Sequence, residues 1–296
     1  MAIINFGSLN LDHVYQMPHF VAPGETLSAV DYQIYCGGKG LNQSVAAAMA
    51  GGDVRHAGMI GREGEMLLEM LQRSGADINL IGRSGMPQGH AMIQVSETGE
   101  NCIILYHGSN FDVSKEYIDM VFKQISSGTY IMLQNEISNL EYIIECAAKK
   151  GCHIVLNPSP YEKHLAKLDL RKLSWLILNE IEAEEMFGTQ DVDAIRNAVK
   201  EKAPDLGVVL TLGSSGSVCI CRGEVISQGI FPVCAVDTTA AGDTFTGYFV
   251  TALDEGKTLR EAMQLASAAS AIAVTRKGAA PSIPGRAEVE DFIRNC

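Results

Sequence analysis

Residues 237–245 read Asp-Thr-Thr-Ala-Ala-Gly-Asp-Thr-Phe, and this stretch is the most informative part of the 296-residue chain. Its small residues Ala240, Ala241 and Gly242 predict a tight turn, after which a helix begins at Asp243. N–H groups at the start of a helix have no partner within it and, together with the helix dipole, they attract an anion. Asp243 is therefore a candidate general base for a hydroxyl that attacks a phosphoryl group held by these amides. An ordinary N-cap aspartate after a glycine turn is the alternative interpretation.

Short apolar runs alternate with helical patterns along most of the chain. Buried strands are predicted at residues 2–5, 129–133, 153–156, 175–178 and 208–212. Helices are predicted at residues 41–50, 64–74, 140–150, 181–187, 192–203 and 259–274. This alternation is typical of the α/β class, with a mostly parallel central sheet flanked by helices.

Two segments interrupt the alternation. Residues 13–35 and 90–106 look extended, with turns at Pro23-Gly24 and Thr98-Gly99 and no helix of their own. We expect them to form a small antiparallel β-sheet that projects from the main body as a lid. The sequence has no linker, repeat or low-complexity segment, so we expect residues 1–296 to form a single domain.

Composition excludes several classes of protein. The hydrophobic fraction of 47% supports a sizeable core, and no apolar run reaches the length of a membrane span. The formal net charge of −12 argues against nucleic-acid binding, because an acidic chain repels phosphate backbones. The eight cysteines form no Cys-x-x-Cys pair, and the N-terminus has no signal-peptide pattern. We therefore expect free thiols and a cytoplasmic location.

A second glycine-rich motif reads Gly37-Gly38-Lys39-Gly40-Leu41-Asn42. Its glycines allow the backbone to approach a ligand closely, and Lys39 and Asn42 can then bond hydroxyls or a phosphate. The motif is not a P-loop, because Gly40 rather than Ser or Thr follows the lysine. A flexible glycine turn without a ligand is the alternative.

Polar side chains follow two of the predicted strands. Asn10 and Asp12 come after the first strand, where the edge of an α/β sheet binds ligands, and both face the same side of an extended chain. Asn179 and Glu182 follow strand 175–178, and their oxygen atoms suit a hydrated Mg²⁺ with its phosphates. A polar strand end and a capped helix are the respective alternatives.

Taken together and in this order, these motifs resemble the ribokinase-like (PfkB) carbohydrate kinases. The resemblance runs from residues 7–12, Gly-Ser-Leu-Asn-Leu-Asp, to Pro281-Ser282. It implies a sugar kinase that uses ATP with Mg²⁺, activated by K⁺ or another monovalent cation, and D-ribose phosphorylated at its 5-hydroxyl. Related kinases of deoxyribose, another sugar or a nucleoside are the alternatives, as is a sugar-binding regulator without catalysis.

The resemblance also implies a role for each matching residue. Asp243 is expected to be the catalytic base, with Ala240, Ala241 and Gly242 as the anion hole. The residues expected to bind the sugar are Asn10, Asp12, Gly38, Lys39, Asn42, Glu136 and Asp243. Those expected at the nucleotide and its Mg²⁺ are Asn179, Glu182, Thr211, Leu212, Gly213, Ser214, Ser215, Gly216, Gly242 and Ser267. Those expected around the monovalent cation are Asp237, Thr239, Ala273, Arg276, Gly278 and Ser282.

The resemblance further implies a homodimer that assembles through the lid sheet. The chain departs from the family pattern at four places. Tyr248 stands where a small residue is usual, and Leu41 replaces the usual alanine. Gly61-Arg62-Glu63-Gly64 lacks the usual Gly-Asp-Asp pattern, and Ser267 stands where a larger polar residue is frequent.

Overall fold

A computed structural model describes residues 2–296 of the chain. Its strands, in chain order, are β1 (Ile3–Phe6), β2 (Asn10–Gln16), β3 (Asp31–Gly37), β4 (Val54–Ile60), β5 (Asp77–Arg83), β6 (His90–Val95), β7 (Asn101–Tyr106), β8 (Tyr130–Gln134), β9 (His153–Asn157), β10 (Trp175–Asn179), β11 (Gly207–Thr211), β12 (Ser217–Cys221) and β13 (Glu224–Gln228). Its α-helices are α1 (Lys39–Met49), α2 (Glu65–Ser74), α3 (Lys115–Phe122), α4 (Leu140–Lys150), α5 (Glu180–Phe187), α6 (Val192–Lys202), α7 (Ala241–Asp254), α8 (Leu259–Ala273) and α9 (Arg286–Arg294).

The main sheet contains nine strands in the order β13-β12-β11-β10-β9-β8-β1-β4-β5. The seven strands from β11 to β5 in this order are parallel, and β12 and β13 are added antiparallel at one edge. This arrangement confirms the predicted α/β class. Helices cover both faces: the residues of α1, α2, α7, α8 and α9 share one apolar core, and those of α3 to α6 share the other.

Several predicted elements agree closely with the structure. The helix predicted at residues 140–150 is α4, and each of the five predicted strands is present within two residues of its predicted bounds. The helix predicted to begin at Asp243 begins two residues earlier, at Ala241. The pattern did not predict β4, β5, β12, β13, α3 or α9.

Polar residues follow the apolar core residues of the central strands on the face toward α1. Side chains alternate along a strand, so residues two apart point the same way. The six strands β1, β4, β8, β9, β10 and β11 each place an apolar side chain in the core beneath α1 and α7. Two positions further on, each carries a polar residue on that same face: Asn5, His56, Gln134, Asn157, Asn179 and Thr211.

The second sheet contains four strands in the order β3-β2-β6-β7, and it confirms the predicted small sheet from the two extended segments. The expectation of a fully antiparallel sheet needs one refinement. Two pairs are antiparallel, but the central pair of β2 and β6 is parallel. β1 and β5 run in the same direction in the main sheet, so the chain leaves both strands at the same end of the sheet. β2 and β6, which follow them, therefore run outward in the same direction.

Among the helices of residues 2–296, none combines the length and apolar character that crossing a bilayer requires.

Candidate active site

Helix α1 begins in direct backbone contact with the loop that follows β1. A Cβ atom on Gly40 would lie 2.2 Å from the nitrogen of Ser8 and 2.4 Å from Cα of Gly7. Gly38, immediately before the helix, has a φ of 94°, a conformation that favours glycine. The glycines of this motif are therefore required for packing and are not a flexible turn. The contact brings Asn42 and its neighbours in α1 to the end of the central strands.

Asp243 lies in the first turn of α7 and is 7% exposed. Each of its carboxylate oxygens accepts a hydrogen bond from an amide of α1. Asn42 Nδ2 donates to Oδ2 at 3.0 Å, and Gln43 Nε2 donates to Oδ1 at 3.0 Å. The two donors fix the plane of the carboxylate, and they satisfy a group that would otherwise be costly to bury.

Hydrogen bonds occupy the carbonyl groups of the first two residues of α7. Ala240 adopts the left-handed conformation, with a φ of 59°. The carbonyl of Ala241 accepts a hydrogen bond from Ser270 Oγ at 3.0 Å, and that of Gly242 accepts one from Thr246 Oγ1 at 2.8 Å. With Asp243, residues 240–242 line one wall of a cavity at the amino end of the helix, where the dipole favours an anion.

Lys39 is the cation among the carboxyl groups at this site. Burial by itself would lower the pKa of Lys39, but the carboxylates of Asp243, Glu136 and Glu182 outweigh burial and raise it. Burial raises the pKa of Glu136, against the opposing effect of Lys39 and of its hydrogen-bond donors. Those donors are the Ser8 hydroxyl and, at 3.1 Å, the backbone nitrogen of Lys39.

Asp12 and Asn10 lie where β2 leaves the main body. Burial, with a smaller contribution from the charge of Glu136, raises the pKa of Asp12 to about 7. The side chain of Asp12 packs on Gly37, where an added Cβ would lie 1.9 Å from Oδ2. Asn10 Oδ1 accepts a hydrogen bond from Asn110 Nδ2 at 2.7 Å. Asn110, which the sequence did not indicate, is thus the residue that orients Asn10.

The cavity at α7 extends across the ends of the strands. It is also lined by Asn157, Asn179, Glu182, Thr211 and Lys39. The structure therefore brings together the predicted catalytic residues, Lys39, and four of the residues expected at the nucleotide, one of which, Gly242, belongs to both sets.

Asn179 and Glu182 also form the capping box of α5. Asn179 Oδ1 accepts from the Glu182 nitrogen at 2.9 Å, and Glu182 Oε2 accepts from the Asn179 nitrogen at 3.0 Å. The helix-cap interpretation is thus correct as a description of these contacts, while both side chains still line the cavity.

The remaining residues expected at the nucleotide lie outside this cavity's lining. Residues 212–216 form a short turn closed by a hydrogen bond from the Leu212 nitrogen to the Gly216 carbonyl at 2.8 Å. Ser267 on α8 contacts Ser217, with 3.4 Å between the hydroxyl oxygens.

The residues expected around a monovalent cation come from two loops that Asp237 joins. Its Oδ1 accepts from the Thr239 nitrogen and its Oδ2 from the Gly278 nitrogen, both at 2.9 Å. Burial by itself would raise the pKa of Asp237, but these hydrogen bonds outweigh burial and lower it. Arg276 pairs its guanidinium with Glu288, and Ser282 is buried with its hydroxyl on the Ala279 carbonyl. Two of the departures from the family pattern, Leu41 and Tyr248, lie in the core, and Tyr248 there donates to the Pro284 carbonyl at 2.8 Å.

Sequence reasoning missed most of the polar residues behind Asp243. Their shared signal is an amide, hydroxyl or imidazole within an otherwise buried apolar segment, as in the run Ile3-Ile4-Asn5-Phe6 of β1. The members are Asn5, Gln43, Ser44, His56, Gln134 and Asn157.

Comparison with known proteins agrees with this fold. The pattern described as pfkB family carbohydrate kinase matches residues 2–286. The chain therefore belongs to the pfkB family of carbohydrate kinases.

Individual relatives make the similarity more specific. A ribokinase of Haemophilus influenzae is 39% identical over 300 residues, which cover 98% of this chain and 97% of that protein. The crystal structure of ribokinase from Thermotoga maritima has a TM-score of 0.90 and 36% identity, with complete coverage of both chains. Arabidopsis thaliana ribokinase, solved with ribose and ATP, has a TM-score of 0.86 and 29% identity, with 99% of both chains covered.

Replacing Asp12 by asparagine should stabilise the unliganded protein in a pH-dependent way. Because the folded-state pKa is raised from 3.8 to about 7, folding must neutralise this carboxyl or bury its charge. The contribution of Asp12 to stability is thus fully retained below pH 3.8 and is lost as pH rises to about 7. We expect the melting temperature of Asp12→Asn to exceed that of the wild type by a few degrees at pH 8 and by nearly nothing at pH 4.

The matched control is Asp205→Asn, at an exposed aspartate. Differential scanning fluorimetry from pH 4 to 8 gives the comparison. A difference between Asp12→Asn and wild type that stays flat with pH would contradict the raised pKa.

Proposed function

We propose that this protein transfers the γ-phosphoryl group of ATP to the 5-hydroxyl of D-ribose and forms D-ribose 5-phosphate. The observation that carries the proposal is the position of Asp243. Its carboxylate is held by two amides at the amino end of a helix, beside a cavity with an exposed polar wall. A hydroxyl donor on one side and a phosphoryl group on the other would both reach this point. The ribokinases to which the chain is similar support the choice of sugar and nucleotide.

The proposed reaction depends mainly on positioning and charge. Asp243 accepts the proton of the attacking hydroxyl. The backbone amides of residues 240–242 and of the rest of the first turn of α7 stabilise the charge on the phosphoryl group during transfer. Lys39 contributes a positive charge beside them, because nearby carboxylates keep it protonated.

The proposed sugar pocket is rich in hydrogen-bond acceptors. Asp12 and Glu136 accept from sugar hydroxyls, Asn10 and Asn42 both donate and accept, and Lys39 donates. A polyol satisfies this set better than a flat nucleobase does. Gly38 completes the pocket by letting the backbone approach the sugar closely.

The nucleotide is proposed to bind across the strand ends, with its phosphates toward α7. Asn179, Glu182 and Thr211 line that side of the cavity, and we assign the turn at residues 212–216, with Ser267, to the outer part of the nucleotide. Among residues 2–296, no group of three or more His, Cys, Asp or Glu side chains is arranged to hold a metal ion. A single carboxylate such as Glu182 suits Mg²⁺, which usually binds through phosphates, waters and one or two carboxylates. When bound with ATP, Mg²⁺ neutralises phosphate charge.

A monovalent cation, K⁺ for preference, is proposed to bind between the loops that Asp237 joins. The donors there are hard oxygen atoms, of the kind that such a cation prefers: the Asp237 carboxylate and the carbonyls of Thr239, Ala273, Arg276, Gly278 and Ser282. The cation would order the turn before α7 rather than contact substrate.

The small sheet is proposed to act as a lid and as a dimer interface. Both of its faces expose large apolar side chains, with Ile103 55% and Ile104 60% exposed on opposite faces of β7. Exposed apolar surface of this kind indicates a partner, and a second copy of the chain would cover it. Lid closure would exclude water from the phosphoryl group and limit ATP hydrolysis. We also propose a cytoplasmic location, which the eight free cysteines support.

The test of the proposed function is an ADP-release assay with Mg·ATP and potassium across D-ribose, 2-deoxyribose, fructose and several nucleosides. We expect D-ribose to give the highest kcat/KM. A higher value for another acceptor would indicate a related kinase with that acceptor as its substrate. No turnover with any acceptor would favour a sugar-binding regulator.

In the same assay, Asp243→Asn should reduce kcat by about 10²–10⁴-fold, because asparagine cannot accept the hydroxyl proton. Sugar affinity, measured by calorimetry, should change little, since the shape of the side chain is kept. Near wild-type turnover in this variant would exclude Asp243 as the base.

Potassium should raise the turnover of the wild type several-fold over sodium or Tris buffers at equal ionic strength. Asp237→Ala should remove that difference, because the two loops are no longer joined through the carboxylate. Equal rates in all buffers with the wild-type enzyme would contradict the cation proposal.

The double substitution Ile103→Asp and Ile104→Asp should convert the dimer to a monomer, because it places charges on both faces of the lid sheet. Light scattering after size exclusion measures the mass. The matched control is Met120→Asp, at a residue of α3 that is 48% exposed and outside the lid. A monomeric wild type, or a variant that remains dimeric, would contradict the proposed interface.

A further inference from the structure

A chain of buried polar side chains connects Asp243 to the interior of the main sheet. Each member other than the aspartate is at most 1% exposed. Polar groups at such depth are stable only when their hydrogen bonds are satisfied in a consistent pattern. The members, in order from the aspartate, are Gln43, Gln134, Asn5, Ser44 and His56.

The first part of the chain consists of three side-chain amides. Gln43 Nε2 donates to Asp243 Oδ1, and Gln43 Oε1 accepts from Gln134 Nε2 at 2.7 Å. The same Gln134 Nε2 donates to Asn5 Oδ1 at 2.9 Å. Gln134 therefore uses both amide protons on acceptors within the chain.

The second part ends at a histidine. Asn5 Nδ2 donates to Ser44 Oγ at 2.8 Å and to the Gly40 carbonyl at 2.7 Å. Ser44 Oγ lies 2.8 Å from His56 Nδ1, and His56 Nε2 lies 3.2 Å from the Gly7 carbonyl.

Two backbone carbonyls determine the direction of every bond, because a carbonyl only accepts. The Gly7 carbonyl requires a proton on His56 Nε2, so in the neutral ring Nδ1 accepts from Ser44. The Gly40 carbonyl requires the NH₂ group of Asn5 on its side, which leaves Asn5 Oδ1 facing Gln134. The NH₂ group of Gln134 then faces Gln43, and the amide of Gln43 must present its own NH₂ to Asp243. The reversed amide would place an oxygen against the carboxylate.

At neutral pH, His56 continues to accept a hydrogen bond from Ser44 and to donate one to the Gly7 carbonyl. It is completely buried, and burial lowers its pKa to about 4, against the opposing hydrogen bond to Gly7. The ring is therefore neutral under ordinary conditions, and its Nδ1 remains an acceptor.

We propose that Gln43 is the positioning residue of the catalytic carboxylate, and that the buried chain from Gln134 to His56 holds its amide in the one orientation that donates to Asp243. The inference rests on the proposed function, in which Asp243 is the base. Gln43 Nε2 also lies 3.4 Å from Asn157 Oδ1, and Asn157 lines the cavity. The same amide therefore connects Asp243 to the part of the cavity that is proposed to hold the phosphates.

Gln43→Met tests the donor with a side chain of similar length. A hydrogen bond to an ionised group is lost, so we expect kcat for D-ribose to fall about 10- to 100-fold. Sugar affinity should change little, because Asn42 still donates to Asp243. The matched control is Gln88→Met, at a glutamine that is 2% exposed and outside the chain. It should lower the melting temperature comparably and leave kcat near the wild-type value. Unchanged kcat in Gln43→Met, or an equal loss in both variants, would overturn the proposal.

Gln43→Glu gives a readout that a merely structural role would not produce. The introduced carboxyl can still accept from Gln134, and it faces Asp243 at about the 3.0 Å of the present bond. When protonated it donates to Asp243, and when ionised it repels Asp243. The other charged groups at this site, Lys39, Glu136 and Glu182, are the same in both proteins. The ratio of variant to wild-type kcat should therefore fall steeply from pH 6 to pH 9. A ratio that is constant with pH would overturn the proposal.

A spectroscopic measurement separates this inference from the proposed reaction. In ¹⁵N-labelled protein, the side-chain amide signals of Gln43 should shift when Asp243→Asn is introduced, whether or not any sugar is phosphorylated. Failure of the wild type to turn over any acceptor, with the shift present, would reject the function and retain the contact. Unshifted Gln43 signals would reject the contact itself.

Discussion

A buried, ionised carboxylate at the carboxyl ends of the strands is stable only when hydrogen-bond donors surround it. The arrangement of this site follows from that requirement. Both donors to Asp243 come from one turn of α1. That turn is in reach because α1 begins in backbone contact with the loop after β1, where Gly40 meets Gly7. The glycines of the second motif therefore act first through packing, and the position of the Asp243 carboxylate is a consequence of their lack of a side chain.

The charge balance of the site indicates why it suits a polyol. Lys39 lies among several carboxyl groups, and burial raises the pKa of both Asp12 and Glu136. The donors to Glu136 in the structure are the Ser8 hydroxyl and the backbone nitrogen of Lys39. A sugar would bring several more hydroxyl donors to these carboxyl groups at once.

The two interpretations weighed for several motifs turn out to be compatible. Asn179 and Glu182 cap α5, and they also line the cavity. Asp237 likewise has a structural role, because its carboxylate ties two loops together through hydrogen bonds. At strand ends and helix starts, a residue that terminates an element can also line the cavity.

The sequence by itself determined the α/β class, the bounds of helices such as α4, the small second sheet, and the small-residue turn that leads into α7. These features depend on periodicity and turn chemistry within short windows, which are visible in one dimension. Other features required the tertiary structure. Asn110 orients Asn10 across a separation of 100 residues, and Gln134 reaches Gln43 across 91. No local pattern relates such positions, because they lie in different elements that meet only in the folded chain. The shared direction of β1 and β5 likewise made β2 and β6 parallel, since both leave the same end of the main sheet.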